Sequence, residues 1–169
     1  MSARMRAQPL VERRLRAKLG YRTGTMSSRE VTLFVYGTLL MGDASHELLT
    51  GARLVGEVRT LPRYALVDLG AYPGLVAGGD VAVAGELWTV DVATLAKIDV
   101  HEGHPVLFKR RPVELEGGVI AEAYQLDVEQ VRGRRRIRSG SWRERHERPA
   151  AAASARDSPF ARALRSRVR

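Results

Sequence analysis

The chain has 169 residues, of which 44% are hydrophobic, and this is enough for one domain of ordinary size. It contains no cysteine, which excludes disulfide bonds and thiolate zinc sites, and its four scattered histidines do not predict a metal centre. No apolar run is long enough to span a membrane and no signal-peptide pattern is present, so we expect a cytoplasmic protein.

The net charge of +9 is distributed unevenly along the chain. Residues 1–30 contain eight Lys or Arg against two acidic residues, and residues 131–169 contain thirteen Arg against three acidic residues. The segment between them is acidic. This pattern predicts a folded domain over residues 31–142, flanked by disordered basic arms at 1–30 and 143–169. Met26 precedes the first predicted strand, so translation from either Met1 or Met26 is left open.

Apolar and β-branched runs predict that the central domain is mainly β. About six or seven strands are expected, and six of them are placed at residues 31–36, 54–61, 64–67, 81–90, 107–115 and 119–126. Gly117-Gly118 is a hairpin signal between the last two strands. Asp91 and the apolar spacing after it predict a short helix over 91–100, and a second is expected over 43–50. We therefore predict an α+β fold with a small, mainly antiparallel sheet that curves toward a barrel.

The segment Tyr36-Gly37-Thr38-Leu39 follows the first predicted strand directly. Glycine allows the backbone to turn sharply and to approach a ligand closely. Successive backbone N–H groups in such a turn can bind an anion or a developing oxyanion. The alternative is a simple turn with no ligand, and the segment alone does not exclude it.

A second candidate cluster runs from Asp99 to Pro105, where the predicted helix ends. Glu102 lies at this junction, and a glutamate in a partly apolar pocket has a raised pKa that suits proton transfer near neutral pH. The alternative is a solvated surface carboxylate. His101 and His104 have no further His or Cys near them in the sequence, so no metal site is predicted.

The combination and order of these motifs resembles the gamma-glutamylcyclotransferase-like (AIG2-like) family over residues 31–142. The segments that carry the resemblance are Phe34-Val35-Tyr36-Gly37-Thr38-Leu39, Tyr72-Pro73-Gly74-Leu75-Val76, Val83-Ala84-Gly85-Glu86-Leu87-Trp88, Asp99-Val100-His101-Glu102-Gly103 and Ile137-Arg138-Ser139-Gly140-Ser141-Trp142. The resemblance implies a small barrel-like fold with a cavity at its mouth.

The resemblance also implies an activity and its residues. Members of the family release 5-oxoproline from γ-glutamyl amines or peptides without a cofactor, because the α-amine of the substrate attacks its own γ-carbonyl. By motif, Glu102 is the general acid/base and the backbone of Tyr36, Gly37, Thr38 and Leu39 binds the substrate. Tyr72 and Phe108 are the expected side-chain contacts to the substrate.

Two positions depart from the family pattern. Phe108 stands where a tyrosine is common, and Ser141 stands where an aspartate is usual. A member that binds a ligand without catalysis is therefore an alternative. A third possibility is a nucleic-acid-associated protein that acts through its basic arms, although few aromatic residues accompany the arginines. The oligomeric state is left open.

Overall fold

The computed structural model describes residues 30–146, which form two β-sheets, one α-helix and two 3-10 helices. In chain order the elements are β1 (Glu30–Val35), a 3-10 helix (His46–Leu49), β2 (Arg53–Arg59), β3 (Tyr64–Asp68), β4 (Pro73–Ala77), β5 (Ala84–Asp91), α1 (Val92–His101), β6 (Lys109–Glu114), β7 (Ile120–Gln125), a 3-10 helix (Val128–Val131) and β8 (Arg135–Arg136). Within this range, no helix has both the length and the apolar character needed to cross a membrane.

Strand β1 lies at the centre of a five-stranded sheet with the order β2-β5-β1-β7-β6. It pairs antiparallel with β5, which places Val35 opposite Glu86, and parallel with β7, which places Leu33 opposite Glu122. Leu33 and Val35 are at most 2% exposed because strands on both sides and the core on both faces cover them. The end of β1 therefore carries the next residue, Tyr36, into the interior of the domain.

A second sheet has three strands in the order β4-β3-β8, all paired antiparallel. Its apolar residues join the same core as those of the larger sheet. The predicted α+β class with mainly antiparallel strands is thus confirmed. The strands are divided between two sheets, so the curved sheet expected from the sequence does not close into a barrel.

Helix α1 agrees with the predicted range 91–100 to within one residue. The Asp91 carboxylate accepts a hydrogen bond from the Thr94 N–H at 2.7 Å, which satisfies a donor that the first helical turn leaves unpaired. At the other end, Glu102 caps the helix and Gly103 follows it at φ +62°. Because glycine adopts this left-handed conformation without strain, the helix stops here and Glu102 lies at its C-terminal end.

Several short elements differ from the sequence-based expectation. Strand β4 was not predicted because it begins at Pro73, although proline at the first position of a strand leaves the later ladder bonds intact. Strand β8 has two residues, both arginine, and so has no apolar pattern. The helix expected over 43–50 is the shorter 3-10 helix His46–Leu49. Gly117 and Gly118 have φ of +82° and +75°, as the predicted hairpin requires.

The predicted arms lie mostly outside the described residues, as does Met26, so their boundaries and the predicted cytoplasmic location stay predictions. Four residues of the expected tail of 143–169 are described, at positions 143–146. The Arg143 guanidinium donates hydrogen bonds to the Glu86 carboxylate and to the Met41 carbonyl. The Arg145 guanidinium stacks over the Trp142 ring at 4.0 Å. The segment just after residue 142 therefore packs on the domain.

Candidate active site

A cavity of about 330 Å³ lies between the end of β1, the start of β4 and the end of α1. This volume is within the range of small-molecule binding sites. All seven residues predicted for the site line the cavity: Tyr36, Gly37, Thr38, Leu39, Tyr72, Glu102 and Phe108. The fold therefore brings together positions that are up to 72 residues apart in the chain.

The loop after β1 forms one wall of the cavity. It turns tightly, because the Leu40 N–H donates to the Gly37 carbonyl at 2.9 Å and the Ser45 N–H donates to the Thr38 carbonyl at 2.8 Å. The N–H groups of Gly37, Thr38 and Leu39 donate to no other described residue. Three successive backbone donors beside a cavity are suited to a carboxylate or an oxyanion.

Tyr36 ties this loop to two neighbouring strands. Its hydroxyl donates to the Tyr124 carbonyl at 2.7 Å and accepts from the Leu75 N–H at 3.2 Å. Burial, and secondarily the nearby charge of Glu102, raise the pKa of the Tyr36 phenol well above its usual range. The phenol therefore stays protonated and serves as a structural tie, while its ring forms part of the cavity wall.

The Glu102 carboxyl group faces the same cavity from the end of helix α1. Burial raises its pKa from the usual 4.5 to about 7, and no hydrogen-bond donor among the described residues offsets this effect. The C-terminal end of a helix is itself an unfavourable place for a negative charge. A carboxyl group with these properties is half protonated near neutral pH and can both accept and donate a proton.

The end of helix α1 is held in place by Asp99, one helical turn before Glu102. The Asp99 carboxylate accepts a hydrogen bond from the Tyr124 hydroxyl at 2.7 Å, and its second oxygen lies 3.4 Å from the Arg110 guanidinium. Burial, followed by the bond to Asp99, raises the pKa of Tyr124 above its usual range. Helix α1 is thereby fixed to β6 and β7, so the position of Glu102 depends on a partly buried polar network.

Glu86 does not line the cavity, but it anchors the loop after β1. Its buried carboxylate accepts hydrogen bonds from the Met41 N–H at 3.0 and 3.2 Å, and from the Trp88 indole at 3.1 Å. Arg143 donates to the same carboxylate at 3.0 Å and to the Met41 carbonyl at 2.8 Å. Glu86 and Arg143 together hold the backbone at Met41, immediately after the turn that lines the cavity.

Comparison with known proteins agrees with this geometry. Residues 33–144 match the family described as gamma-glutamyl cyclotransferase, AIG2-like. The chain belongs to this family. A Vibrio cholerae protein, provisionally named a gamma-glutamylcyclotransferase, is 48% identical over 86 residues, which are 51% of this chain and 74% of that protein. The Escherichia coli family protein YtfP is 33% identical over 114 residues, covering 67% of this chain and 96% of YtfP.

Solved structures also contain this fold. The crystal structure of c4763, a protein specific to uropathogenic Escherichia coli, superposes with a TM-score of 0.60 at 26% identity. The superposition covers 68% of this chain and 94% of c4763. The solution structure of YtfP superposes with a TM-score of 0.53 at 33% identity, covering 69% of this chain and 99% of YtfP. The family fold therefore occupies the part of the chain that contains the cavity.

The two departures from the family pattern lie in different places. Phe108 is buried in the cavity wall, and its ring meets that of Tyr72 edge to face at 6.0 Å. Ser141 does not line this cavity. It lines a separate groove beside Glu57 and Arg143, so the missing aspartate charge removes no group from the wall of the candidate site.

Four residues that support the site were not identified from the sequence: Asp99, Tyr124, Glu86 and Arg143. Glu86 and Asp99 belong to the quoted family motifs, but the sequence analysis gave them no role. An acidic residue inside an otherwise apolar strand was the signal that could have identified Glu86. Tyr124 and Arg143 are 22 and 41 residues from Glu102 and carry no local signal. Among residues 30–146, His, Asp and Glu side chains form no group of three that could bind a metal ion.

Gly37→Ala is expected to disturb the loop without unfolding the domain. A Cβ at this position would lie 2.7 Å from the Pro73 side chain, so the loop or the start of β4 must shift. A shift of about 1 Å in a catalytic site can lower kcat/KM by about 100-fold. Gly42→Ala is the control, because it strains its own turn (φ +80°) but contacts no neighbour. Equal turnover of both variants, measured by product release, would contradict this role for Gly37.

Proposed function

We propose that this protein releases 5-oxoproline from a γ-glutamyl amine, with Glu102 as the group that transfers the protons. One observation carries the proposal. A carboxyl group with a pKa of about 7 shares a cavity of about 330 Å³ with three backbone N–H groups, and neither the carboxyl nor these N–H groups has a hydrogen-bond partner in the described part of the chain. Membership of the cyclotransferase family supports the same reaction.

The first step forms a ring. Ionised Glu102 accepts a proton from the α-ammonium group of the substrate, because only the neutral amine has a lone pair for attack. The α-nitrogen then bonds to the γ-carbonyl carbon, and the carbonyl oxygen becomes an oxyanion. The N–H groups of Gly37, Thr38 and Leu39 are available to stabilise this oxyanion or to hold the substrate carboxylate.

The second step breaks the original amide bond. Glu102, now protonated, donates its proton to the leaving nitrogen, the carbon–nitrogen bond breaks and the γ-carbonyl re-forms. The ring nitrogen carries two hydrogens after the attack and loses one of them to the departing amine through Glu102, so the products are 5-oxoproline and an alkylammonium ion, and Glu102 is again ionised. One carboxyl group serves both steps, since the two nitrogens are attached to the same tetrahedral carbon. No oxidant, reductant or metal enters the balance of atoms and electrons.

The direct test is to incubate the full-length protein with a series of γ-glutamyl amines and to quantify 5-oxoproline by mass spectrometry. We expect release that is proportional to protein concentration and insensitive to EDTA. If no member of the series yields 5-oxoproline above the spontaneous rate, the cyclotransferase proposal fails.

We expect the rate to depend on pH through Glu102. Its carboxylate form must start the reaction, and this form is lost as pH falls through its pKa of about 7. The value of kcat/KM should therefore decrease about tenfold per pH unit below pH 7 and level off above it, until the substrate amine titrates. A profile that stays flat from pH 5 to about 7 would contradict the role of Glu102 as base.

The outer part of the cavity favours an uncharged leaving amine. Tyr72 and Leu107, which are 37% and 44% exposed, line its mouth, and no Lys or Arg of the described residues lines the cavity. A carboxylate on the leaving group would meet the charge of Glu102 without a compensating cation. We expect kcat/KM for γ-glutamyl-n-butylamide to exceed that for γ-glutamylglycine by about 10-fold or more, with Leu107→Arg reducing the difference. Preference for γ-glutamylglycine would contradict this expectation.

Phe108 favours a second candidate, a ligand-binding protein without catalysis. The cavity lacks the phenol hydroxyl that the family often has at this position, although the ring is buried in the wall. Binding of a γ-glutamyl amine by calorimetry, with no 5-oxoproline released over many hours, would favour this candidate. Gain of turnover in Phe108→Tyr would then identify the missing hydroxyl as the cause.

A further inference from the structure

A second concave surface lies at the far end of strand β4 from the cavity. Pro73, at the start of β4, lines the cavity, and Ala77, at its end, lines this groove. Four residue steps along a strand correspond to about 13 Å, so the two sites are separate. The groove has a volume of about 290 Å³, and its floor consists of small apolar residues and glycines of β3, β4 and the turn after β4.

Three arginines line this groove: Arg132, Arg134 and Arg136. All three are exposed, and none forms a salt bridge with another residue in the range 30–146. Arg135 differs, because successive side chains in a strand point to opposite sides, and it pairs with Asp68. Within residues 30–146, the groove therefore collects positive charge without a carboxylate in its lining.

The arginine row continues beyond the groove. Arg136 also lines a neighbouring groove together with Arg138, where Asp80 is the one acidic residue among the described lining residues. A ligand with one phosphate would occupy only part of such a row, whereas a chain of phosphates could contact several guanidinium groups at once. Of the residues that the structure describes, none that lines either groove is aromatic, so contacts there would be to phosphates and not to stacked bases.

We propose that the groove formed by Arg132, Arg134 and Arg136 binds the phosphate chain of a single-stranded nucleic acid without reading its sequence. This site lies within the folded domain, so it differs from binding through the basic arms. It is also independent of the cyclotransferase reaction. The competing explanation is that the arginines protect the edge strand β8 from pairing with other chains.

The test compares two full-length variants that lose the same charge. The groove variant carries Arg132→Ser, Arg134→Ser and Arg136→Ser, and the control carries Arg162→Ser, Arg165→Ser and Arg167→Ser. Each is titrated against a fluorescent oligothymidylate by anisotropy at about 50 to 200 mM NaCl. Melting temperature and 5-oxoproline release check that both variants are folded. Inorganic polyphosphate and an oligonucleotide of mixed sequence are titrated in parallel.

We expect the groove variant to bind the oligonucleotide at least about 10-fold more weakly than the wild type. The slope of log K against log[NaCl] should decrease in magnitude by about 2, because each of the three lost phosphate contacts contributes about 0.7. The affinity of the control variant for oligothymidylate should decrease by less than about 3-fold. The wild type should bind the mixed-sequence oligonucleotide with the same affinity as oligothymidylate. The proposal would be overturned if both variants lost the same affinity for the oligonucleotide, or if the wild type did not bind the oligonucleotide. Binding of polyphosphate but not of oligonucleotide would assign the groove to a different phosphate chain.

Discussion

The Glu102→Gln variant is expected to release 5-oxoproline at least about 10³-fold more slowly than the wild type, because one carboxyl group is proposed to act as both base and acid. Glutamine retains the size and polarity of the side chain but cannot exchange a proton. The Glu102 carboxyl has no hydrogen-bond partner among the described residues, so its replacement breaks no bond of the fold. The measurement is kcat/KM from 5-oxoproline release at pH 8.

The stability of the same variant gives an independent check. The pKa of Glu102 in the folded protein is above its usual 4.5, so the folded state binds more protons than the unfolded state between pH 4.5 and about 7. Ionisation of Glu102 therefore lowers the stability of the wild type as pH rises through this window, and Gln removes this loss. We expect Glu102→Gln to melt at or above the wild-type temperature at pH 8.

Glu47→Gln is the matched control for Glu102→Gln. Glu47 is exposed on the 3-10 helix near the loop and does not line the cavity. This variant should retain the wild-type rate. If Glu102→Gln turns over substrate as fast as Glu47→Gln does, Glu102 is not the proton-transfer group.

Glu86→Ala is expected to have the largest effect on stability. The substitution leaves the Met41 N–H and the Trp88 indole without an acceptor, and it removes the buried partner of Arg143. Leaving these two donors without an acceptor costs about 3 kcal/mol of unfolding free energy, or about 10 °C in melting temperature for a domain of this size. Because the loop at Met41 also loses its anchor, we expect kcat/KM to decrease about 10-fold at temperatures where the variant is folded.

Glu114→Ala provides a control with the same chemistry at the surface. Glu114 pairs with Arg63 at 2.8 Å, but both side chains are at least half exposed. An exposed pair contributes at most about 1 kcal/mol, so this variant should melt close to the wild type. A similar decrease in both variants would show that the burial of Glu86 is unimportant.

Helix α1 and six of the eight strands within residues 30–146 were predictable from the sequence, because each depends on a local pattern of residues. The apolar run at the start of the domain, the Asp91 cap and the paired glycines at 117–118 each produced the expected element. Strands β4 and β8 were not predictable in this way. β4 begins with proline and β8 is formed by two arginines, and both are strands because β3 supplies their hydrogen-bond partners.

The sequence by itself predicted the candidate site residues, because the turn at Gly37 and the helix end at Glu102 occur together in the order typical of the family, although neither motif is specific alone. The tertiary structure decided what these residues can do. Burial raises the pKa of Glu102, and the partners of Tyr36, Asp99 and Glu86 hold the cavity wall in place. Desolvation and long-range hydrogen bonds depend on atoms that are distant in sequence, so no local pattern contains them.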